Sequence, residues 1–112
     1  MYKPRQKDII WVNFTPSYVK EIREKHPALV VSSNDYNEKT SYVIVCPITS
    51  KGNDFSGYVP LTDYKVHGRV NATQVHSFDT GRIFSAEYVD RMRSEDFLIV
   101  KQILDFALKL DF

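Results

Sequence analysis

Two kinds of hydrophobic patterning divide this chain. As far as residue 83, apolar positions come in short runs separated by turn residues, whereas after Ser94 they recur every three or four positions. Residues 9–14 are rich in aromatic and β-branched side chains and predict a first strand. Runs at 28–32 and 41–46 predict two more, and both are nearly continuously apolar, which suits strands covered on both faces. A short strand follows at 58–61, with Pro60 favouring a sheet edge. Further strands are expected at 68–72 and 73–77. Residues 15–25 and 51–57 read as polar loops, 34–39 as turn chemistry, and 81–83 as another turn. Ser94-Glu95-Asp96 then offers an N-cap and an acidic first turn for a C-terminal helix. Its expected stripe is Phe97, Val100, Ile103, Leu104, Ala107 and Leu108, and Leu98, Ile99, Phe106 and Leu110 widen it. Such a face is either heavily packed or shared between subunits.

Composition narrows the function classes. A chain of 112 residues, 43% of them hydrophobic, is enough for one domain with one core, and its 13% aromatic content argues against disorder. A net charge of +1 supplies no global attraction for nucleic acid, so any phosphate site must be local. The single cysteine, Cys46, permits no internal disulfide and sits in an apolar run as a buried, inert thiol. No apolar stretch reaches the roughly 18–20 residues that span a bilayer, and the N-terminus is polar, so no membrane partner and a cytoplasmic location are expected. Histidine spacing does not suggest zinc, and no phosphate loop or nucleotide fingerprint is present.

Polar groups stand at the ends of two apolar runs. His26 precedes one in Lys25-His26-Pro27-Ala28-Leu29-Val30-Val31, and Thr49-Ser50 follow the other in Val43-Ile44-Val45-Cys46-Pro47-Ile48-Thr49-Ser50. If those strands pair, an imidazole and a hydroxyl meet at a barrel rim. Upstream lies Asp8-Ile9-Ile10-Trp11-Val12-Asn13-Phe14-Thr15-Pro16, and downstream Thr73-Gln74-Val75-His76-Ser77. In this order the segments resemble the MazF/PemK (Kid) family of toxin endoribonucleases. That family typically shows a Gly-Asp-led apolar strand, an Arg-Pro-led strand, an apolar strand ending in threonine, and an Asp-Gln-Val/Ile-Lys/Arg-Ser/Thr segment. The resemblance runs from about Asp8 into the last helix. Lys7 stands where the family usually has glycine, and His26 where it has its catalytic arginine.

The resemblance implies a mainly β fold: a small SH3-like β-barrel of the MazF/CcdB type with a C-terminal helix, one domain over residues 1–112. It implies the toxin of a type II toxin–antitoxin system, a metal-independent endoribonuclease that needs no cofactor and cleaves single-stranded RNA (mRNA) at a short sequence. Cleavage would use the RNA's own 2′-hydroxyl and leave 2′,3′-cyclic phosphate and 5′-hydroxyl ends. Its expected partners are single-stranded RNA, a cognate antitoxin and a second copy in a homodimer. Thr49 matches the family's threonine, a donor to the phosphoryl oxygen. His26 is expected to serve as general base or acid, which an imidazole does near neutrality more readily than a guanidinium.

Arg23, Lys25, Ser50, Lys51, Gln74 and Ser77 are the expected RNA contacts. Each also has a plain alternative. Exposed cations are ordinarily solvated, a strand-end threonine ordinarily caps a turn, and Gln74 and Ser77 could satisfy backbone groups. Asp8 reads as an anchor for the first strand, and Trp11 and Phe14 as core. Sequence distance does not bring His67 and His76 to His26, so no multi-histidine site is read from it. Two other functions remain open: a degenerate family member that only binds RNA or antitoxin, and a CcdB-like gyrase poison. The ending Leu110-Asp111-Phe112 lacks the Trp-Gly-Ile expected of the latter.

Overall fold

The computed structural model describes residues 2–14, 25–50, 57–84 and 88–111. Among these residues seven strands, β1 (Asp8–Asn13), β2 (Lys25–Val30), β3 (Tyr42–Thr49), β4 (Tyr58–Pro60), β5 (Arg69–Asn71), β6 (His76–Asp79) and β7 (Asp90–Arg91), form one curled antiparallel sheet. A short helix, α1 (Asn34–Lys39), joins β2 to β3, and α2 (Ser94–Ala107) ends the fold. The strand order is β4-β5-β3-β2-β1-β7, with β6 also on β3. β4 lies at the sheet edge, as Pro60 requires, because proline has no N–H to give a second neighbour. This mainly β half-barrel with a closing helix agrees with the expected small β-barrel and C-terminal helix.

β3 organises the sheet. Val45 pairs with Val30 on one side and His76 on the other, while Ile48 and Thr49 pair with Val70 and Arg69. The two apolar faces of β1, β2 and β3 explain their continuous hydrophobicity. Ile9, Leu29, Cys46 and Ile48 enter a core closed by Val59, Val70, Met92 and Val100. Ile10, Val12, Ala28, Val30, Val43 and Val45 form a second cluster, against which Tyr2, Phe14, Phe78 and Ile83 pack. In α2 only Phe97, Val100, Ile103 and Leu104 reach the core. Leu98, Ile99, Phe106, Leu108 and Leu110 are exposed, and Ala107, expected to pack, is exposed as well.

Several local expectations are corrected. Residues 34–39 form a helix rather than a bare turn, because Ser33 caps it by accepting from the Tyr36 amide at 3.1 Å. Buried Asn37 then ties it to the N-terminal segment, its Nδ2 donating to the Pro4 carbonyl at 3.1 Å. Ser94 is the first helical residue rather than the N-cap of α2; Arg93 holds that position without a side-chain capping bond. The strand placed at 73–77 begins instead at His76, because Asn71 turns the chain by accepting from the Thr73 amide at 3.3 Å. β7 had no sequence signal. It is short and pairs with Asp8 and Ile9, where the buried Asp8 carboxylate accepts from Arg91 Nε and the Arg5 amide, each at 3.0 Å, and from the Tyr2 hydroxyl. Asp8 thus anchors the first strand, as read. No helix among the described residues is long and apolar enough to cross a membrane.

Candidate active site

Two prolines open the sheet where its polar rim begins. Pairing of β2 with β3 ends at Ala28↔Pro47, and neither Pro27 nor Pro47 has an N–H with which to extend a ladder. Continuing that antiparallel register by two residues on each strand would set His26 opposite Thr49, so the two strands part between an imidazole and a hydroxyl. Alternation along β3 turns Ile48 into the core and leaves Pro47 and Thr49 on the other face. The opening is a groove of about 570 Å³. His26, Pro27, Pro47, Ile48, Thr49 and Ser50 line one part of it, and Phe14, His67, Gln74 and His76 the rest.

Gly68 brings His67 to this groove. Its φ of +128° lies where side chains are rarely tolerated, and an added Cβ would stand 2.6 Å from the Thr49 carbonyl oxygen. The bare α-carbon allows the chain before β5 to press against the end of β3. His76 arrives differently, through its pairing with Val45. Phe14, expected in the core, is half-buried and meets His26 and His76 edge-on at 5.9 and 5.2 Å. The His76 ring also stacks on Phe78 at 5.5 Å, and the Arg82 guanidinium lies 5.4 Å above the Phe78 ring.

The electrostatics are unusual for an anion site. Among the described lining residues the titratable groups are three imidazoles, with no carboxylate, lysine or arginine. Burial lowers the His76 pKa and favours its neutral form. The Cys46 thiol, buried behind the groove, is pushed up to about 12 by desolvation and is inert at neutral pH. No cluster of three His, Cys, Asp or Glu side chains among the described residues is arranged to hold a metal ion.

Residues 5–108 match the model of the PemK-like, MazF-like toxins of type II toxin–antitoxin systems. The chain belongs to the PemK/MazF toxin family. Over 76 residues it is 34% identical to the endoribonuclease toxin MazF of Escherichia coli K12, which covers 68% of each chain. A solved MazE–MazF complex from Deinococcus radiodurans superposes with a TM-score of 0.82 at 27% identity, covering 98% of this chain and 100% of that one. An endoribonuclease from mycobacterial species, solved with its cognate antitoxin, shares the fold at 17% identity (TM-score 0.78, covering 97% of this chain and 98% of that one).

Against the family pattern, His26, Thr49, Ser50 and Gln74 line one groove. Lys25 does not. It leads the opposite face of β2 and places its ammonium 4.9 Å from the Trp11 ring centroid. Ser77 pairs with Ile44 on the face of β6 opposite His76 and is exposed away from the groove. Arg23 and Lys51 lie outside the described residues. The sequence reading missed His67, His76 and Phe14 as groove residues. Gly68 was the available signal for His67, since an isolated glycine beside a strand marks close backbone approach.

Proposed function

We propose that this protein is the toxin of a toxin–antitoxin pair and an endoribonuclease acting on single-stranded RNA in the cytoplasm. Family membership supports the class, and one structural observation carries the chemistry: the proline-opened groove with His26 and Thr49 on its facing strands. Cleavage requires no external nucleophile. A base removes the proton of a ribose 2′-hydroxyl, and its oxygen forms a bond to the adjacent phosphorus. The P–O5′ bond breaks, and a proton reaches the departing oxygen. His26 serves as a proton-transfer group, and the Thr49 hydroxyl, with Ser50 beside it, donates to the phosphoryl oxygens. The edge-on cluster of Phe14 with His76 and Phe78 suits unstacked bases, the form in which single-stranded RNA is read.

Two further features belong to this reading. Leu98, Ile99, Phe106, Leu108 and Leu110 form an apolar surface on and after α2, which supports a homodimer. A cognate antitoxin would silence the toxin by occupying the groove. Of the remaining sequence candidates, Gln74 lies in the groove and is proposed to contact the RNA beside the cut, as are Arg23 and Lys51; Lys25 and Ser77 face away from the groove and are not assigned to it.

The test is cleavage of a long unstructured RNA in excess EDTA, with end-group analysis and with Thr49→Ala and His26→Ala alongside. Site-specific cuts with 2′,3′-cyclic phosphate ends, lost in Thr49→Ala, are the expected result. An inert wild type that gains strong activity on His26→Arg would instead identify a degenerate member whose chemistry left with the arginine.

A further inference from the structure

We infer that His67 is a second catalytic residue, which transfers a proton at the scissile phosphate opposite His26; this rests on the nuclease reading above. The reaction needs two proton transfers, one from the 2′-hydroxyl and one to the 5′-oxygen. Thr49 holds its proton too tightly near neutral pH to serve as either base or acid. Among the described lining residues the groups able to do so are His26, His67 and His76.

Geometry selects His67 over His76. The extended β2–β3 register brings His26 toward Thr49 from one side. From the other side comes β5, whose Arg69 pairs with Thr49 and whose leading Gly68 lies against the Thr49 carbonyl. His67 immediately precedes that contact, is exposed, and opens onto the same groove. His76 pairs four residues back along β3, at Val45, which is about 13 Å along the strand. It is also held between aromatic rings. The pair flanking the threonine is therefore His26 and His67, and His76 belongs to the stacking wall.

One imidazole takes the 2′-hydroxyl proton as the O2′–P bond forms. The other, protonated, gives its proton to O5′ as the P–O5′ bond breaks. Solvent then restores both, and no oxidant, metal or other reactant enters. Among the described residues, the charged and titratable groups placed near His67 include Lys65 and Arg69 on its own segment, Asp90, which accepts from the Lys65 amide, and the imidazoles of His26 and His76 in the groove. Cleavage should therefore follow a bell in pH, rising as the base loses its proton and falling as the acid loses its own.

The deciding experiment measures pH–rate profiles for the wild type, His67→Ala, His67→Gln and His26→Ala. The substrates are ordinary RNA and RNA whose scissile 5′-oxygen is replaced by sulfur, a leaving group that needs no acid. His67→Ala should lose roughly 10²–10⁴-fold on ordinary RNA and one limb of the bell. If His67 is the acid, the alkaline limb goes and the sulfur substrate restores the rate, while His26→Ala stays slow on both. If His67 is the base, the acidic limb goes and the rescue pattern reverses. Loss of rate with both limbs intact, or activity within about threefold of wild type, would overturn the assignment. A folded wild type that cuts neither substrate would refute the nuclease reading itself, and the histidine pair with it.

Discussion

Lys7→Gly is expected to be more stable than Lys7→Ala by about 0.5–1 kcal/mol. Lys7 has a φ of +82°, a region in which a Cβ crowds the following carbonyl. Its backbone is fixed there from both sides: its amide donates to the Val30 carbonyl at 3.0 Å, and its carbonyl accepts from the Met92 amide at 2.8 Å. Alanine keeps the crowded Cβ and glycine removes it, a gain of about 1–2 kcal/mol. Glycine's greater freedom in the unfolded chain returns about 0.5–1 kcal/mol of that. Both variants lose the exposed bond from Lys7 Nζ to Ser94 Oγ at 3.1 Å, so it cancels in the comparison. For 112 residues the unfolding entropy is about 0.24 kcal/mol/K, which converts the difference to about 2–4 °C in Tm. Urea unfolding of both variants at equal protomer concentration is the assay, because subunit association shifts apparent midpoints. Lys7→Ala matching or exceeding Lys7→Gly at unchanged denaturant slope would refute backbone strain at this position.

Three other substitutions probe the scaffold. Asp8→Asn should cost about 2–3 kcal/mol in chemical unfolding, since the new amide faces the Tyr2, Arg5 and Arg91 donors with one oxygen fewer. A cost under about 0.5 kcal/mol would mean that the anchoring is weak. Gly68→Ala should destabilise by at least about 2 kcal/mol and reduce RNA cleavage, because its Cβ must displace the end of β3. Wild-type stability in that variant would refute the close approach. For His76, burial depresses the folded pKa below 6.5, so the unfolded chain takes up a proton that the folded one resists. Stability should be full above about pH 6.5 and decline as the pH falls below it, and His76→Gln should flatten that decline. Identical slopes in the two proteins would rule out the burial effect.

The strands were legible wherever apolar runs were long. Residues around Ile9, Leu29 and Val45 are buried on both faces of the sheet, so they left continuous runs, whose shortness and β-branched content separate them from a buried helix. α2 was legible from its period, although the period could not say which apolar residues would reach the core and which would stay outside. α1 was hidden because a serine followed by asparagine and aspartate serves a turn as well as a helix start. β7 depends on pairing with a strand more than 75 residues earlier, which leaves no local trace. In the groove, His26 and Thr49 could be named because one opens and the other closes an apolar run in segments that resemble the family's. His67 and His76 could not, since their positions follow from a glycine contact and a strand register. Lys7 carried a different kind of information. The family's usual glycine at that position coincides with a positive φ, which explains the preference and marks this chain's departure from it.

The alternation of Ile48 and Thr49 at the end of β3 binds the chemistry to the accuracy of folding. Sliding β3 by one residue against its neighbours would turn the isoleucine outward and the hydroxyl into the oil of the core. A mispaired molecule would then be disarmed and sticky at once, with no partly active form between. The same logic governs inheritance: losing a single codon from the strand before Pro47 would act as a knockout even though every residue in the groove remained encoded.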